Sequence, residues 1–262
     1  MELPSELDVS APNVARMYDY WLGGKDNFEA DREAAEKVLL IAPEARLMAV
    51  ENRAFIGRAI EHVVGGMGVR QIIDIGAGLP TQRNVHEVAQ EVAPGTRVVY
   101  ADYDPVVNAH ARALLGKSDD VRVFDADVRE LDAFLDDPGL RGFIDLARPV
   151  LVLITAVFHF ITDEEGPGGI LARLREALPE GSYLGLSHST LDSGPDAAAK
   201  IAKLYEGASA PAILRTREEI RALFAGFELL EPGLVYTAEW RRTTPLTQNP
   251  AKAWMLAGVG QR

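Results

Sequence analysis

Residues 72–82, IIDIGAGLPTQ, decide how the rest of the chain is interpreted. A short apolar run containing Asp74 gives way to the Gly-Ala-Gly of residues 76–78, and Pro80 follows. Glycines there allow the backbone to turn tightly and to approach a ligand without a Cβ in the way. Thr81 replaces the third glycine of the dinucleotide-binding G-x-G-x-x-G motif, so the loop suits a pyrophosphate poorly. The stretch predicts either a ligand-binding turn after a strand or only a tight strand-to-helix connection.

β-Rich and helical segments alternate along the chain beyond residue 66. The β-rich runs are apolar and continuous, which is typical of parallel strands buried on both faces by helices. The last two, 227–240 and 253–262, have no helix between them and are expected to pair antiparallel at one edge of the sheet. We therefore predict an α/β fold with a doubly wound, mostly parallel sheet of seven strands and an antiparallel C-terminal hairpin strand. The first five strands are placed at residues 70–75, 96–102, 120–127, 149–156 and 181–189.

The residues before the sheet have the patterns of helices. The first helix has start signals at Ser10 and Pro12 and a stop signal in the glycine pair at 23–24. No low-complexity linker separates these helices from the rest of the chain. We therefore predict one domain, in which residues 1–66 form an N-terminal helical annex and residues 67–262 form the core.

Composition and charge exclude several classes of function. The formal net charge is -12 without a local basic cluster, which argues against a nucleic-acid-binding protein because phosphates are bound by lysine and arginine. The absence of cysteine rules out disulfides, thiolate nucleophiles and cysteine-type zinc sites. The first residues lack the apolar segment of a signal peptide, and no apolar run is long enough for a membrane span. We expect a cytoplasmic protein without nucleic-acid or membrane partners.

Acidic residues stand at the ends of the second and third predicted strands, where ligands bind in open α/β sheets. Asp102 could accept both hydroxyls of a ribose, and Tyr103 could lie against an adenine ring. Asp127 could accept the amino group of an adenine while the Val128 amide meets a ring nitrogen. Both motifs also fit helix caps, a role for which Asp104 is a better candidate than Asp102.

Two histidines near the ends of the fourth and fifth strands are candidates for acid–base chemistry. His159 lies between two phenylalanines, and His188 lies at the end of the fifth strand. Histidine titrates near neutrality, as a general base must, although a histidine between aromatic residues is more often structural. Asp163, in the run HFITDEE, is expected to cap the next helix. No cluster in the sequence has convincing metal-ligand spacing, so we predict no metal site.

The stretches IIDIGAGLPT, VVYADYDPVV and DADV resemble, in this order, the first three motifs of class I S-adenosylmethionine-dependent methyltransferases. Longer blocks, among them ARMYDYWLGGKDNFEADREAAE, ENRAFIGRAI and GFELLEPGLV, are similar to a bacterial methyltransferase family long known only as a domain of unknown function. The similarity runs from about residue 12 to the C-terminus. It implies a Rossmann-like fold and S-adenosylmethionine as the cofactor, and it implies no particular substrate.

The resemblance also implies contacts between individual residues and the cofactor. The residues after the first strand would face its methionine end, and those after the second and third strands would hold the ribose and the adenine. The residues after the fourth strand would lie near the sulfonium. Pro80 replaces the third glycine of the pattern common in the class, but the same form is normal in the bacterial family. The implied contact residues are Asp74, Gly76, Ala77, Gly78, Asp102, Tyr103, Asp127, Val128, Thr155 and Ala156.

The block at residues 15–28, ARMYDYWLGGKDNF, is the unusual part of that family. It places Arg16, Tyr18 and Tyr20 among other polar groups in one helix and its exit turn. One interpretation is that the annex covers the cofactor, with Arg16 and Tyr18 in contact with it, and shapes the acceptor pocket. The other is a solvated amphipathic helix that packs its apolar stripe on the core.

Methyl transfer from a sulfonium is an in-line displacement, in which the main task is to align the reacting atoms. A base is needed only if the acceptor must lose a proton, and the candidates are His159, His188 and the pair Tyr18 and Tyr20. The predicted function is a methyltransferase that acts on a small, partly apolar molecule. Two alternatives remain open: a non-catalytic module that binds the same cofactor, and a nicotinamide-dependent oxidoreductase, which the missing third glycine disfavours.

Overall fold

The computed structural model describes residues 10–80, 83–115, 118–192, 194–205 and 208–262. Residues 1–9 of the predicted annex and Thr81 of the glycine-containing loop lie outside them. Within the described part of the chain, no helix has the length and apolar character needed to cross a membrane. The strands are β1 Gln71–Ile75, β2 Arg97–Asp102, β3 Val121–Asp125, β4 Leu151–Thr155, β5 Tyr183–Ser189, β6 Glu228–Leu229, β7 Val235–Tyr236 and β8 Met255–Gln261. The helices are α1 Val14–Trp21, α2 Glu29–Ile41, α3 Ala45–Ile60, α4 Val85–Val92, α5 Pro105–Leu115, α6 Leu131–Leu135, α7 Pro138–Phe143, α8 Pro167–Ala177, α9 Pro195–Tyr205 and α10 Arg217–Ala222.

The strands form one sheet in the order β3-β2-β1-β4-β5-β8-β6, with β7 also paired to β8. The first five strands are parallel, and β8 runs antiparallel to β5, β6 and β7. The strand order reverses between β1 and β4, which is where open α/β sheets bind ligands. The predicted α/β, Rossmann-like fold with an antiparallel C-terminal hairpin is confirmed.

The C-terminal edge of the sheet differs from the prediction, because the described residues form a sheet of eight strands instead of seven. The segment 227–240 does not form one strand, since the chain turns at Pro232, where the Gly233 N–H donates to the Leu230 carbonyl at 2.8 Å. The turn leaves β6 and β7 as two short strands that pair with different parts of β8. Proline has no N–H to donate to a sheet ladder, so the interruption has a cause in the sequence.

The first helix starts later than its predicted start at Ser10. Asn13 is the N-cap of α1, because its side-chain oxygen accepts the N–H groups of Ala15 and Arg16 at 2.9 and 3.1 Å. The Asn13 side-chain amide also donates to Asp104 Oδ2 at 2.5 Å, at the start of α5. One side chain therefore caps α1 and joins the annex to the loop after β2.

Apolar side chains fill both sides of the sheet. On one side, α6, α7, α8 and α10 pack against the strands around buried residues such as Leu140 and Ile154. On the other side, α3, α4 and α5 pack around Phe55 and Trp240, whose rings meet edge to face with centroids 5.5 Å apart. The helix α3 therefore belongs to the helical layer of the core as well as to the predicted annex.

A third apolar cluster joins the annex to the core. It contains Met17 and Trp21 of α1, Met48 of α3, Ile201 of α9 and Met255 of β8. Residues from four elements thus bury their side chains together, and α1 packs on the molecule instead of projecting into solvent. Both interpretations of the annex require this packing of the apolar side of α1 on the core.

Candidate functional site

A cleft opens at the carboxyl ends of β1, β2 and β4, and residues of α1, α3, α9 and the turn before β8 complete its walls. The cleft coincides with the reversal of strand order, where a ligand is expected. Arg16 is the one residue predicted to contact the cofactor that does not line the cleft. The predicted residues that do line it are Tyr18, Asp74, Gly76, Ala77, Gly78, Asp102, Tyr103, Asp127, Val128, Thr155 and Ala156.

The loop after β1 brings two glycines against the neighbouring strand. The Gly76 N–H donates to the Ala101 carbonyl at 2.8 Å, and the Gly78 N–H donates to Asp102 Oδ2 at 2.9 Å. The φ angles of Gly76 and Gly78, 69° and 66°, lie in the left-handed region that favours glycine. A Cβ on Gly76 would also collide with Val157. The two glycines therefore allow the loop to turn tightly here and to pack closely against Val157.

Asp102 and Asp104 take different roles. Asp104 caps α5, because its Oδ1 accepts the Val106 N–H at 2.7 Å. Asp102 lines the cleft, is 6% exposed and accepts the N–H groups of Gly78 and Asp104 at 2.9 and 3.0 Å. Burial raises the pKa of Asp102 to about 6. Each of its oxygens keeps a lone pair beyond these bonds, so the carboxylate suits the hydroxyl donors of a ribose.

Asp74 and Arg53 bring opposite charges to the cleft. Asp74 is 4% exposed, and burial raises its pKa to about 7, although Arg53 opposes that shift. Arg53 extends from α3, and its Nε is buried without a hydrogen-bond partner among the described residues. A buried carboxylate and a guanidinium with an unpaired Nε–H suit the zwitterionic end of an amino acid, with its ammonium on Asp74 and its carboxylate on Arg53. The residues present therefore fit the methionine end of S-adenosylmethionine.

Asp127 is both a cap and one partner in an ion-pair network. Its Oδ1 accepts the Arg129 backbone N–H at 2.9 Å, and the Arg129 guanidinium bridges Asp127 and Glu165 at 2.5 and 2.9 Å. Burial raises the pKa of Asp127, but the bonds from Arg129 outweigh burial and hold this pKa below its usual value. The Arg129 guanidinium also lies 5.7 Å from the centre of the Tyr103 ring. Arg129 thus links the two loops that were predicted to contact the adenine.

The turn after β4 is tied to the annex by a chain of hydrogen bonds. Ala156 has a φ of 58°, which is uncommon for a residue with a Cβ, and its N–H donates to Ser187 Oγ at 3.0 Å. The Ser187 hydroxyl donates to Asn52 Oδ1 at 2.7 Å, and the Asn52 amide donates to the Tyr18 hydroxyl at 3.0 Å. The Tyr18 hydroxyl in turn donates to the Ala49 carbonyl at 3.1 Å. The position predicted for the sulfonium is therefore connected to α1 through α3.

The two histidines lie in different environments. His159 lines the cleft, its Nδ1 accepts the Ser189 N–H at 3.4 Å, and burial holds its pKa well below the usual value. His188 is fully buried outside the cleft lining. Its Nδ1 donates to the Ser189 carbonyl at 2.7 Å and its Nε2 accepts from Arg215 at 2.9 Å. Burial lowers the pKa of His188 to about 4. The structure therefore places His188 away from the cleft, with both ring nitrogens already hydrogen-bonded within the protein.

Arg215 organises the segment between these histidines. Its guanidinium donates to the Phe158 and Ile161 carbonyls, both at 2.9 Å, and to Asp163 Oδ1 at 2.6 Å. Asp163 therefore does not cap the next helix, and Gly166 is the residue that precedes α8. The arginine fixes the backbone that carries His159 into the cleft.

Two residues of α1 serve packing instead of the cleft. Arg16 is buried in an ion pair with Asp31, with Nε and Oδ2 2.7 Å apart. Tyr20 does not line the cleft, and its hydroxyl donates to the exposed Glu36. The predicted roles of Arg16 in cofactor contact and of Tyr20 in catalysis therefore do not agree with where the structure places them. Among the described residues, no group of three or more His, Asp or Glu side chains is arranged to hold a metal ion.

The cleft also contains residues that the sequence did not single out. Asn13, Asn52, Arg53 and Trp254 all line it. Asn52 and Arg53 lie within a helical pattern, in which isolated polar residues usually face solvent, and Trp254 follows a short turn without a motif. No signal in a single sequence separates them from surface residues, except that Asn13 is a residue type favoured at helix caps.

A family model described as S-adenosyl methyltransferase matches residues 1–262. Among solved structures, a proposed methyltransferase from Thermobifida fusca has 41% sequence identity and a TM-score of 0.93, covering 99% of this chain and 98% of that chain. A DUF574 family protein from Streptomyces avermitilis has 37% identity and a TM-score of 0.92, covering 97% of this chain and 99% of that chain. No curated protein matches the chain significantly.

More distant structures share the fold. Human N-acetylserotonin methyltransferase, solved in complex with SAM, has 16% identity and a TM-score of 0.53, covering 96% of this chain and 63% of that chain. At this level of identity the similarity shows the fold alone, and it agrees with the sheet order and the antiparallel edge described above.

Proposed function

The chain belongs to the S-adenosyl methyltransferase family, and we propose that it transfers the methyl group of S-adenosylmethionine to a small, partly apolar molecule. The cofactor and the reaction class follow from the family, which sets aside the nicotinamide-dependent alternative. The acceptor is supported by one observation: beside Ala156 the cleft continues between apolar side chains. We call this part of the cleft the acceptor lobe, and its residues are Trp21, Met48, Phe160, Ile201, Tyr205 and Trp254.

The acceptor lobe belongs to the third apolar cluster, in which Ala156 also packs. The rings of Phe160 and Tyr205 are tilted against each other with centroids 5.7 Å apart. None of the six side chains carries a charge, and four of them are aromatic. Aromatic and aliphatic walls suit a small molecule with an apolar ring. The net charge of -12 disfavours a nucleic-acid acceptor.

The proposed cofactor contacts follow from the same geometry. Asp74 and Arg53 bind the ammonium and the carboxylate of the methionine end, and Asp102 binds the ribose hydroxyls. Asp127 and the Val128 amide border the adenine edge. Support for these contacts comes from the burial of Asp74 and Asp102 and from the unpaired Nε of Arg53.

When bound, the cofactor supplies an electrophilic methyl group on a sulfonium. The residues of the chain align the acceptor atom with that methyl group and exclude water, which is mainly a proximity effect. Ala156, held by Ser187 and Asn52, borders the reacting position, and α1 covers the cleft with Tyr18. His159 is the one predicted base outside α1 that lines the cleft, and its low pKa keeps it neutral at pH 7.

Label transfer from methyl-labelled S-adenosylmethionine tests this function. The purified full-length protein would be incubated with the cofactor and, separately, with the small-molecule, protein and nucleic-acid fractions of a bacterial cell extract. We expect label in products of the small-molecule fraction and not in the other two, and Asp74→Asn protein, which should bind the cofactor weakly, serves as the low-activity control. Label in protein or nucleic acid would overturn the proposed acceptor class. Tight cofactor binding without any transfer would instead support the non-catalytic module.

A further inference from the structure

Trp254 has two unusual features at the acceptor lobe. Its backbone has φ and ψ of 33° and 33°, a left-handed conformation that is costly for a residue with a Cβ. Its indole Nε1 is buried without a hydrogen-bond partner among the described residues. A buried donor without an acceptor is unfavourable, and strained backbone concentrates at functional sites. Together these features indicate a position at which a bound molecule supplies the missing acceptor.

The backbone around Trp254 is well anchored. Its N–H donates to the Ala251 carbonyl and its carbonyl accepts the Thr190 N–H, both at 3.0 Å. The other tryptophan of the acceptor lobe, Trp21, already has a partner, because its Nε1 donates to the Ala35 carbonyl at 3.4 Å. The indole of Trp254 is therefore the tryptophan donor of the lobe that has no hydrogen-bond partner among the described residues.

His159 supplies a second N–H donor nearby. Its Nδ1 accepts the Ser189 N–H at 3.4 Å, so the neutral ring carries its proton on Nε2. Burial, with His188 and Arg215 as neighbours, lowers the pKa of His159 and keeps the ring neutral. The His159 side chain accepts the Ser189 N–H, and the backbone carbonyl of Trp254 accepts the N–H of the next residue, Thr190, so both residues are attached to the chain at the end of β5. Both also line the cleft.

We propose that the methyl acceptor is a ring compound bearing an oxygen with free lone pairs, such as a phenol, enol or carbonyl oxygen, and that Trp254 Nε1–H binds this oxygen beside His159 Nε2–H. The inference rests on the proposed function, since it names the chemical class of the acceptor at the same site. Two N–H donors and no charged side chain among the lobe residues favour an oxygen over an ammonium group. Trp254 is then a specificity-determining residue, and the aromatic side chains of the lobe hold the ring.

Three probes of similar shape test the proposal: naphthol, methylnaphthalene and naphthylmethylammonium. Binding of each would be measured by ligand-observed NMR to full-length protein saturated with S-adenosylhomocysteine. We expect naphthol to bind about tenfold more tightly than methylnaphthalene, which is the effect of one buried hydrogen bond. Trp254→Phe keeps the aromatic ring and should remove this preference, and His159→Phe should reduce it.

Trp21→Phe is the matched control. It removes an indole N–H that is already bonded to Ala35, so it should change the affinities of naphthol and methylnaphthalene by the same factor. The affinity for S-adenosylhomocysteine, measured by calorimetry, reports whether each variant is folded with an intact cofactor site. Equal or absent binding of naphthol and methylnaphthalene to the wild-type protein would overturn the proposal. A preference for naphthol that survives in Trp254→Phe, or tightest binding of the ammonium probe, would overturn it as well.

Failure of this inference can be told apart from failure of the proposed function. If only the inference fails, label still passes from S-adenosylmethionine to small molecules, while the selectivity among the probes does not depend on Trp254. If the proposed function fails, no labelled small molecule forms in the transfer experiment, whatever the probes do.

Discussion

At the scale of single residues, Asp74 is held where its charged form is disfavoured. Burial raises its pKa to about 7, against an unperturbed value of 3.8. A carboxyl whose pKa is higher in the folded than in the unfolded state stabilises the fold below the unfolded value, and this contribution is lost as pH rises to the folded value. The cofactor-free protein should therefore lose stability between about pH 4 and about pH 7 on account of Asp74.

The first prediction concerns Asp74→Asn. The variant should unfold at a higher temperature than the wild type at about pH 8, because it buries no charge at this position. Each kcal/mol gained in the free energy of unfolding should raise the unfolding temperature by about 2–4 °C. Its cofactor affinity should fall about 100-fold, because the ammonium loses its charged partner. Thermal unfolding at about pH 5 and about pH 8, together with calorimetry, would measure both effects. A destabilised variant at the higher pH, or unchanged affinity, would contradict the role given to Asp74.

The second prediction is that cofactor affinity rises with pH. The ammonium binds ionised Asp74, so below about pH 7 binding must first expel a proton, at a cost of up to about tenfold in affinity per pH unit. Asp102 has a pKa of about 6, so its protonation should weaken cofactor binding further at lower pH. Calorimetry in two buffers of different ionisation enthalpy would show proton release on binding at about pH 6. Affinity that does not change with pH would argue against a cofactor bound at these carboxylates.

The third prediction concerns Arg53. Arg53→Met keeps much of the side-chain volume but removes the guanidinium that we assign to the cofactor carboxylate, so affinity should fall about 10- to 100-fold. Arg46→Met is the matched control on the same helix, because Arg46 lies at the surface, paired with Glu36 at 3.2 Å. Equal losses in the two variants would show that Arg53 acts through helix stability and not through contact.

Residues at strand ends were more predictable than residues on helices. Asp102 was placed at the cleft because a polar side chain at the end of an apolar strand has few structural uses, and a parallel sheet brings its strand ends to one edge. Asp74 was placed there by the family resemblance, and both residues line the cleft. Arg53 and Trp254 were not singled out from the sequence, because their positions depend on how α3 and the turn before β8 pack across the sheet. His188 lies outside the cleft lining, and sequence cannot show that Arg215 donates to its second ring nitrogen.

At the scale of elements, the attachment of α1 is the feature that couples the annex to the site. Asn13 caps α1 and bonds Asp104, whose N–H in turn donates to Asp102. The Asn13 side chain therefore helps both to order α1 and to hold Asp102 in position for the proposed ribose contact.

The fourth prediction compares two helix caps. Asn13→Ala should lower stability by about 1 kcal/mol, as loss of a cap usually does, and should also weaken cofactor binding several-fold. Thr216→Ala removes the cap of α10, which accepts the Glu219 N–H at 3.3 Å and does not line the cleft, so it should lower stability without changing affinity. Denaturant unfolding and calorimetry on both variants would check this. Equal effects on affinity would show that α1 contributes no more to the site than any other helix.

The elements themselves were largely predictable. The five parallel strands lie within the predicted ranges, because buried strands have continuous apolar runs between turn residues. The split of the last segment into β6 and β7 was missed, since the apolar pattern continues across Pro232 and only the turn breaks the pairing.

At the scale of the whole molecule, apolar clusters of the described residues place the cleft between the sheet and the annex. Two of them cover the faces of the sheet, and the third joins α1, α3, α9 and β8 beside the strand ends. The fold and the cofactor class could be predicted from motifs that follow consecutive strands. The acceptor lobe could not, because its residues come from distant parts of the chain and share no spacing.

A crystal structure of the full-length protein with S-adenosylhomocysteine tests the central claim most directly. We predict the amino group within hydrogen-bonding distance of Asp74, the carboxylate on Arg53 and the ribose hydroxyls on Asp102. The sulfur should lie beside Ala156 and face the acceptor lobe. A ligand whose amino-acid end lies away from Asp74 and Arg53, or whose sulfur faces away from Trp254 and Phe160, would contradict the account.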